Sequence, residues 1–126
     1  MKKFFFAIIA IATTVLLNSS DAENWNLNGI WTGEANGYAF RMVLNQTGQD
    51  FTGQYQDLSG QGDPKSSLTG SVDFQDNSIR FTRTFPSGDV QTYTGFVFWG
   101  WTKGRGIAGT FGAGSGSNEA SWFARR

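Results

Sequence analysis

Neither cysteine nor histidine occurs anywhere in the 126-residue chain, and proline occurs only twice. Without cysteine there is no disulfide framework and no thiolate nucleophile. Without histidine the commonest general base and metal ligand are missing. Charge is sparse and balanced, ten basic residues against ten acidic ones. A near-neutral chain has no electrostatic reason to seek nucleic acid or an anionic membrane. After residue 22 no window carries a helical hydrophobic period. What is abundant is glycine, with 17 residues, and aromatic side chains, which make up 16% of the chain. That balance predicts an all-β protein stabilised by its core and its hydrogen-bonded sheet alone.

The one long apolar run lies at the start. Met1-Lys2-Lys3 is basic, Phe4 to Leu17 carries no charge, and Asn18-Ser19-Ser20-Asp21-Ala22 follows. Ser20 and Ala22 supply the small-x-small pattern that a signal peptidase accepts. The run is shorter than the roughly 20 residues of a spanning helix. The order therefore predicts a signal peptide over 1–22, cleaved after Ala22, with no membrane anchor left. No cysteine follows to be lipidated. The expectation is an exported protein, periplasmic or secreted, with an N-terminal segment at 23–28 and a single domain at 29–126.

Within that domain a short pattern recurs: a bulky apolar residue, then Thr or Ala, then Gly. It stands at Trp31-Thr32-Gly33, Phe51-Thr52-Gly53, Leu68-Thr69-Gly70, Tyr93-Thr94-Gly95 and Ile107-Ala108-Gly109. Residues two apart on a strand share a face, so each glycine points the same way as its bulky neighbour. An inward glycine makes room for a sharply coiled strand or a large neighbour, and a small barrel needs both. The alternation predicts eight strands, near Gly29–Ala35, Tyr38–Asn45, Asp50–Gln56, Ser67–Phe74, Ser78–Phe85, Val90–Trp99, Gly106–Phe111 and Glu119–Arg125. Turn signals such as Asn36-Gly37 and Pro86-Ser87-Gly88-Asp89 separate them. Links this short favour an up-and-down antiparallel barrel over parallel pairing.

Few residues break the pattern. The apolar face of the fifth strand, Ile79, Phe81, Arg83 and Phe85, contains a cation. A buried arginine must be paired or meet an anion, so Arg83 is a candidate to hold the acidic group of a ligand. The competing reading is a guanidinium at a barrel mouth that snorkels or pairs with a structural carboxylate. The sixth strand is apolar on both faces, with Phe96 and Phe98 opposite Tyr93, Val97 and Trp99. A monomeric barrel has one wet face, so Phe96 and Phe98 are candidates for an interface with a second copy or another protein. Otherwise the Asn24-Trp25-Asn26-Leu27 segment covers them. Among the aromatic residues, Trp31 and Trp122 fit the core, whereas Tyr55, Trp99 and Trp101 are candidates to line a ligand site. No metal cluster and no catalytic grouping is found. Asp57 with Asp63 and Asp73 with Asp76 fit no calcium loop, and the serines have no base to activate them.

Gly29-Ile30-Trp31 at the head of the first strand resembles the Gly-x-Trp opening of the calycins (lipocalins, fatty-acid-binding proteins and avidins). With Phe51-Thr52-Gly53-Gln54-Tyr55, Leu68-Thr69-Gly70, Tyr93-Thr94-Gly95 and the late Trp122, the layout is most similar to avidin and streptavidin. The resemblance implies an eight-stranded barrel with an interior pocket, and Tyr55 matches a ligand position. It argues against biotin, because Gly33 stands where that family places an asparagine. The combined expectation is a non-enzymatic binding protein without a cofactor. It would hold a small, partly apolar ligand at the barrel mouth through Tyr55, Arg83, Trp99 and Trp101. The alternative is an interaction or inhibitor module that acts through Phe96 and Phe98 around a filled barrel.

Overall fold

The structure, a computed structural model, describes residues 26–59, 65–98, 106–114 and 120–126. The proposed leader, Trp25, Trp99 and Trp101 lie outside the described residues. Eight strands follow one another: β1 (Gly29–Ala35), β2 (Tyr38–Thr47), β3 (Asp50–Asp57), β4 (Ser66–Asp73), β5 (Ser78–Thr84), β6 (Val90–Phe98), β7 (Gly106–Ala113) and β8 (Ala120–Arg125). Each pairs antiparallel with its neighbours, and β1 pairs with β8 to close the barrel. The expected architecture holds, with differences of one or two residues at strand ends. The largest extend β2 to Thr47 and β7 to Ala113, while Phe74 and Phe85 fall in the turns after β4 and β5.

Local chemistry sets the hairpins. Asn36 and Gly37 both have positive φ, 51° and 82°, between the paired Ala35 and Tyr38. That is the two-residue primed turn whose twist matches the strands it joins. In the β4–β5 turn Asp73 accepts the Gln75 amide at 2.8 Å and Asp76 accepts the Ser78 amide at 2.9 Å. These two carboxylates are turn acceptors. The hydrogen bonds from Ser78 also hold the Asp76 carboxyl below its ordinary pKa.

Alternate residues of every strand face inward. The buried interior includes Trp31, Phe40, Met42, Phe51, Phe81, Tyr93, Ile107 and Trp122. Tyr93 is stacked between Phe81 and Phe111, with ring centroids 4.7 Å away on each side, and Trp122 meets both Phe81 and Tyr93 edge-on. The recurrent glycines make this filling fit. Gly95, Gly109 and Trp122 lie opposite one another across β6, β7 and β8, and the Trp122 indole donates to the Thr94 carbonyl at 3.0 Å. Gly70 separates Phe51 from Phe81 in the same way. Large and small side chains thus alternate around the wall, as a narrow barrel requires.

The two ends differ. One end is closed by Leu27, which is fully buried and whose carbonyl accepts the Trp31 indole N–H at 2.8 Å. The Arg126 guanidinium donates to the Asn26 and Asn28 carbonyls and lies over the Trp31 ring. Leu27 therefore plugs the barrel, and Phe96 and Phe98 stay exposed; of the segment the sequence offered as their cover, Asn24 and Trp25 lie outside the described residues. The other end, where β1, β3, β5 and β7 finish and β2, β4, β6 and β8 begin, forms the mouth.

Candidate functional site

At the mouth, the inward positions of β3, β4, β5 and β6 bring Tyr55, Ser66, Arg83 and Gln91 together. Register explains the grouping. Arg83 pairs with Gln91 on β6, Ser66 pairs with Tyr55 on β3, and Ser66 stands two residues before Leu68, the β4 partner of Arg83. Arg83 is only 6% exposed. Its guanidinium carbon lies 3.8 Å from the Tyr55 ring centroid and 4.0 Å from that of Phe85. Such cation–π contacts contribute up to about 2 kcal/mol each when desolvated.

The hydrogen bonds of Arg83 go to neutral oxygens. Nε donates to Ser66 Oγ at 3.0 Å, and Nη1 approaches Gln91 Oε1 at 3.4 Å. No carboxylate among the described residues pairs with it. A guanidinium carries five N–H donors, and the Tyr93 hydroxyl is a further neutral acceptor for them. The Tyr93 hydroxyl donates to the same Gln91 Oε1 at 2.9 Å. Burial raises the Tyr55 phenol well above its ordinary range, and the neighbouring Tyr93 adds to the effect. Burial raises Tyr93 too, with the Arg83 guanidinium and the Tyr55 hydroxyl working against it. Asp57, half-buried and inward on β3 opposite Phe40, is the carboxylate whose charge reaches both tyrosines. It accepts the Ser59 amide and hydroxyl.

Above this cluster is an open hollow of about 570 Å³ lined by Phe85, Gly88, Asp89, Val90, Gln91, Ala113 and Gly114. Gln91 and Phe85 line the hollow and also touch Arg83, which lies behind them and does not itself line it. A larger depression of about 720 Å³ lies on the outer wall at the plugged end. It is lined by turn residues such as Gln49, Asp50, Asp73 and Gln75, which are exposed, and no buried polar group is aimed into it.

Of the residues singled out in the sequence, Tyr55 and Arg83 are in contact at the mouth. Trp99 and Trp101 lie outside the described residues. Phe96 and Phe98 are 58% and 51% exposed on the outer wall. Trp31 and Trp122 are core, as expected. Sequence reasoning missed Ser66, Gln91 and Phe85 as partners of Arg83. The hairpin around Pro86-Ser87-Gly88-Asp89 was the available signal, since closing it places residue 91 opposite residue 83.

The fold and this cluster define a class, a closed up-and-down β-barrel with a plugged end and a polar, arginine-centred mouth. The chain matches no protein-family model, no curated protein and no solved structure.

Proposed function

We propose that this is an exported, calycin-like binding barrel that takes a small, partly apolar ligand bearing an anionic group at its mouth. The observation that carries the reading is Arg83, a nearly buried cation beside an open hollow whose hydrogen bonds go only to neutral oxygens among the described residues. Keeping a desolvated guanidinium costs several kcal/mol unless an opposite charge or good hydrogen bonds offset it. A ligand anion supplies that charge, and Phe85 and Val90 supply apolar contact beside it. The filled interior below Tyr93 directs the ligand to the rim of the barrel.

Native mass spectrometry of the protein from its own host is the test. A retained acidic small molecule is expected, absent from the Arg83→Met variant; retention unchanged in that variant overturns the reading. The same spectrum tests export, since the mature mass should lack residues 1–22.

A second reading rests on the outer wall. Phe96, Ala108 and Phe123 align across β6, β7 and β8, and Phe98 lies against Gly106. Three exposed phenylalanines side by side form a patch suited to a protein partner or a second copy. Sedimentation velocity is expected to register self-association that Phe96→Ser with Phe98→Ser removes; a monomer at all concentrations removes the second-copy version.

A further inference from the structure

We infer that Gln91 is a built-in stand-in for a ligand carboxylate: its Oε1 holds the acceptor position that a planar monocarboxylate takes on binding, after the amide swings aside. The inference rests on the anion-binding reading of Arg83 and narrows its ligand class.

Two donors from different strands converge on this one oxygen, the Tyr93 hydroxyl at 2.9 Å and Arg83 Nη1 at 3.4 Å. The second distance lies at the long end for a hydrogen bond. An amide oxygen is a weaker acceptor than a carboxylate, whose charge-assisted bonds to a guanidinium are shorter and about twice as strong. The donors are thus arranged for an acceptor better than the one they hold.

Gln91 is also the member of the cluster that can leave. Tyr55, Ser66, Arg83 and Tyr93 are buried, whereas Gln91 is half-buried and lines the open hollow. Its long side chain can rotate into that space without disturbing the core. The approach to Arg83 is restricted to match. Tyr55 and Phe85 pack within 4.0 Å of the guanidinium carbon, and Nε is committed to Ser66. The terminal nitrogens remain, and their parallel N–H groups fit the two oxygens of a carboxylate. Two carboxylates narrow the class further. Asp57 is half-buried and inward on β3, two residues from Tyr55, and Asp89 lines the hollow, so a dianion is repelled more strongly than a monoanion at the same place.

Calorimetric titration with benzoate and octanoate tests this, with benzamide and octanamide as neutral controls and phenylphosphonate as the dianion. The carboxylates are expected to bind the wild type and the amides to bind far more weakly. Gln91→Ala should tighten carboxylate binding about tenfold, the worth of one ordinary hydrogen bond no longer to be displaced. Gln91→Glu should abolish binding and raise the melting temperature, because the introduced carboxylate pairs with Arg83 permanently. If Arg83→Met loses carboxylate binding but both Gln91 variants bind as the wild type does, the role of Gln91 is overturned and the anion reading stands. If phenylphosphonate binds more tightly than benzoate, the ligand class is wrong. If the wild type binds no anion and Gln91→Glu leaves the melting temperature unchanged, the inference and the reading beneath it both fall. Gln91→Glu keeps the test decisive should Gln91→Ala fold poorly.

Discussion

Replacing Gly109 with alanine tests the central claim about the wall, that its recurrent glycines are required by contact and not by backbone conformation. A Cβ at Gly109 would stand 1.8 Å from the Thr94 carbonyl oxygen, 2.5 Å from the Gly95 Cα and 2.7 Å from the Thr94 carbonyl carbon. All three atoms belong to the backbone of β6, which cannot swing aside as a side chain can. Gly109 does not have a positive φ, so the backbone itself tolerates alanine. The overlap is relieved only if β6 and β7 part by more than an ångström. That weakens two or three ladder hydrogen bonds at roughly 1 kcal/mol each and adds an overpacking cost of roughly 1–3 kcal/mol. It also moves the carbonyl to which the Trp122 indole donates. We expect a loss of about 4 kcal/mol, a large share of the roughly 5–15 kcal/mol of an ordinary domain. Gly37→Ala is the control. Gly37 has φ 82° and nothing within 4 Å of the added Cβ, so only the left-handed backbone is penalised, by roughly 1–2 kcal/mol. Urea unfolding of the two variants, with near-UV circular dichroism to follow Trp122, measures both. A Gly109→Ala cost no larger than that of Gly37→Ala would refute the reasoning.

Two further outcomes follow from the interior. Tyr55 and Tyr93 have pKa values raised by burial; a raised folded value means their contribution is fully present below the unfolded value near 10 and is lost as pH rises past it. Stability should therefore fall above about pH 10, by about 1.4 kcal/mol per pH unit for each tyrosine. Phenolate absorbance from these two should appear together with loss of the β signal, and ionisation that precedes unfolding would contradict their burial. Leu27→Ala should cost roughly 2–5 kcal/mol, as for a buried leucine, and should raise the proton-exchange rate of the Trp31 indole, whose acceptor is the Leu27 carbonyl. An unchanged stability would mean that residue 27 does not plug the barrel.

Much of the fold was legible because barrel walls are written in short-range signals. The period of two placed all eight strands, and Asn36-Gly37 marked a turn that the positive φ values bear out. The glycine-beside-bulky pattern pointed inward at Gly33, Gly53, Gly70, Gly95 and Gly109, and added Cβ atoms there would collide with a neighbouring strand. Arg83 stood out as a cation on an apolar face. Its surroundings did not, because Ser66 and Gln91 meet it across two different strand pairs. A polar residue in an alternating strand looks solvated until the register says what lies opposite. The place of Leu27 was left open for a related reason: whether a terminal segment lies over the wall or turns into the barrel depends on the space that Trp31 leaves there, which no local pattern records.

The closure of the wall bears on how the chain folds and where it yields. Every pairing but one joins consecutive strands, so each hairpin can form on its own and hand its edge to the next. Only the β1–β8 seam joins residues from the two ends of the domain. It is zipped over Thr32–Ala35, while β1 is paired along its full length with β2. Closing so large a loop adds little entropy cost over a shorter one, since that cost grows only with the logarithm of length. The seam should nevertheless form last and open first. Amide exchange would then be fastest along that line, and a partly opened chain would expose two adhesive edges at once. The Arg126 bonds to Asn26 and Asn28 sit where the ladder stops, acting as a latch on the stretch of wall most exposed to edge-to-edge aggregation.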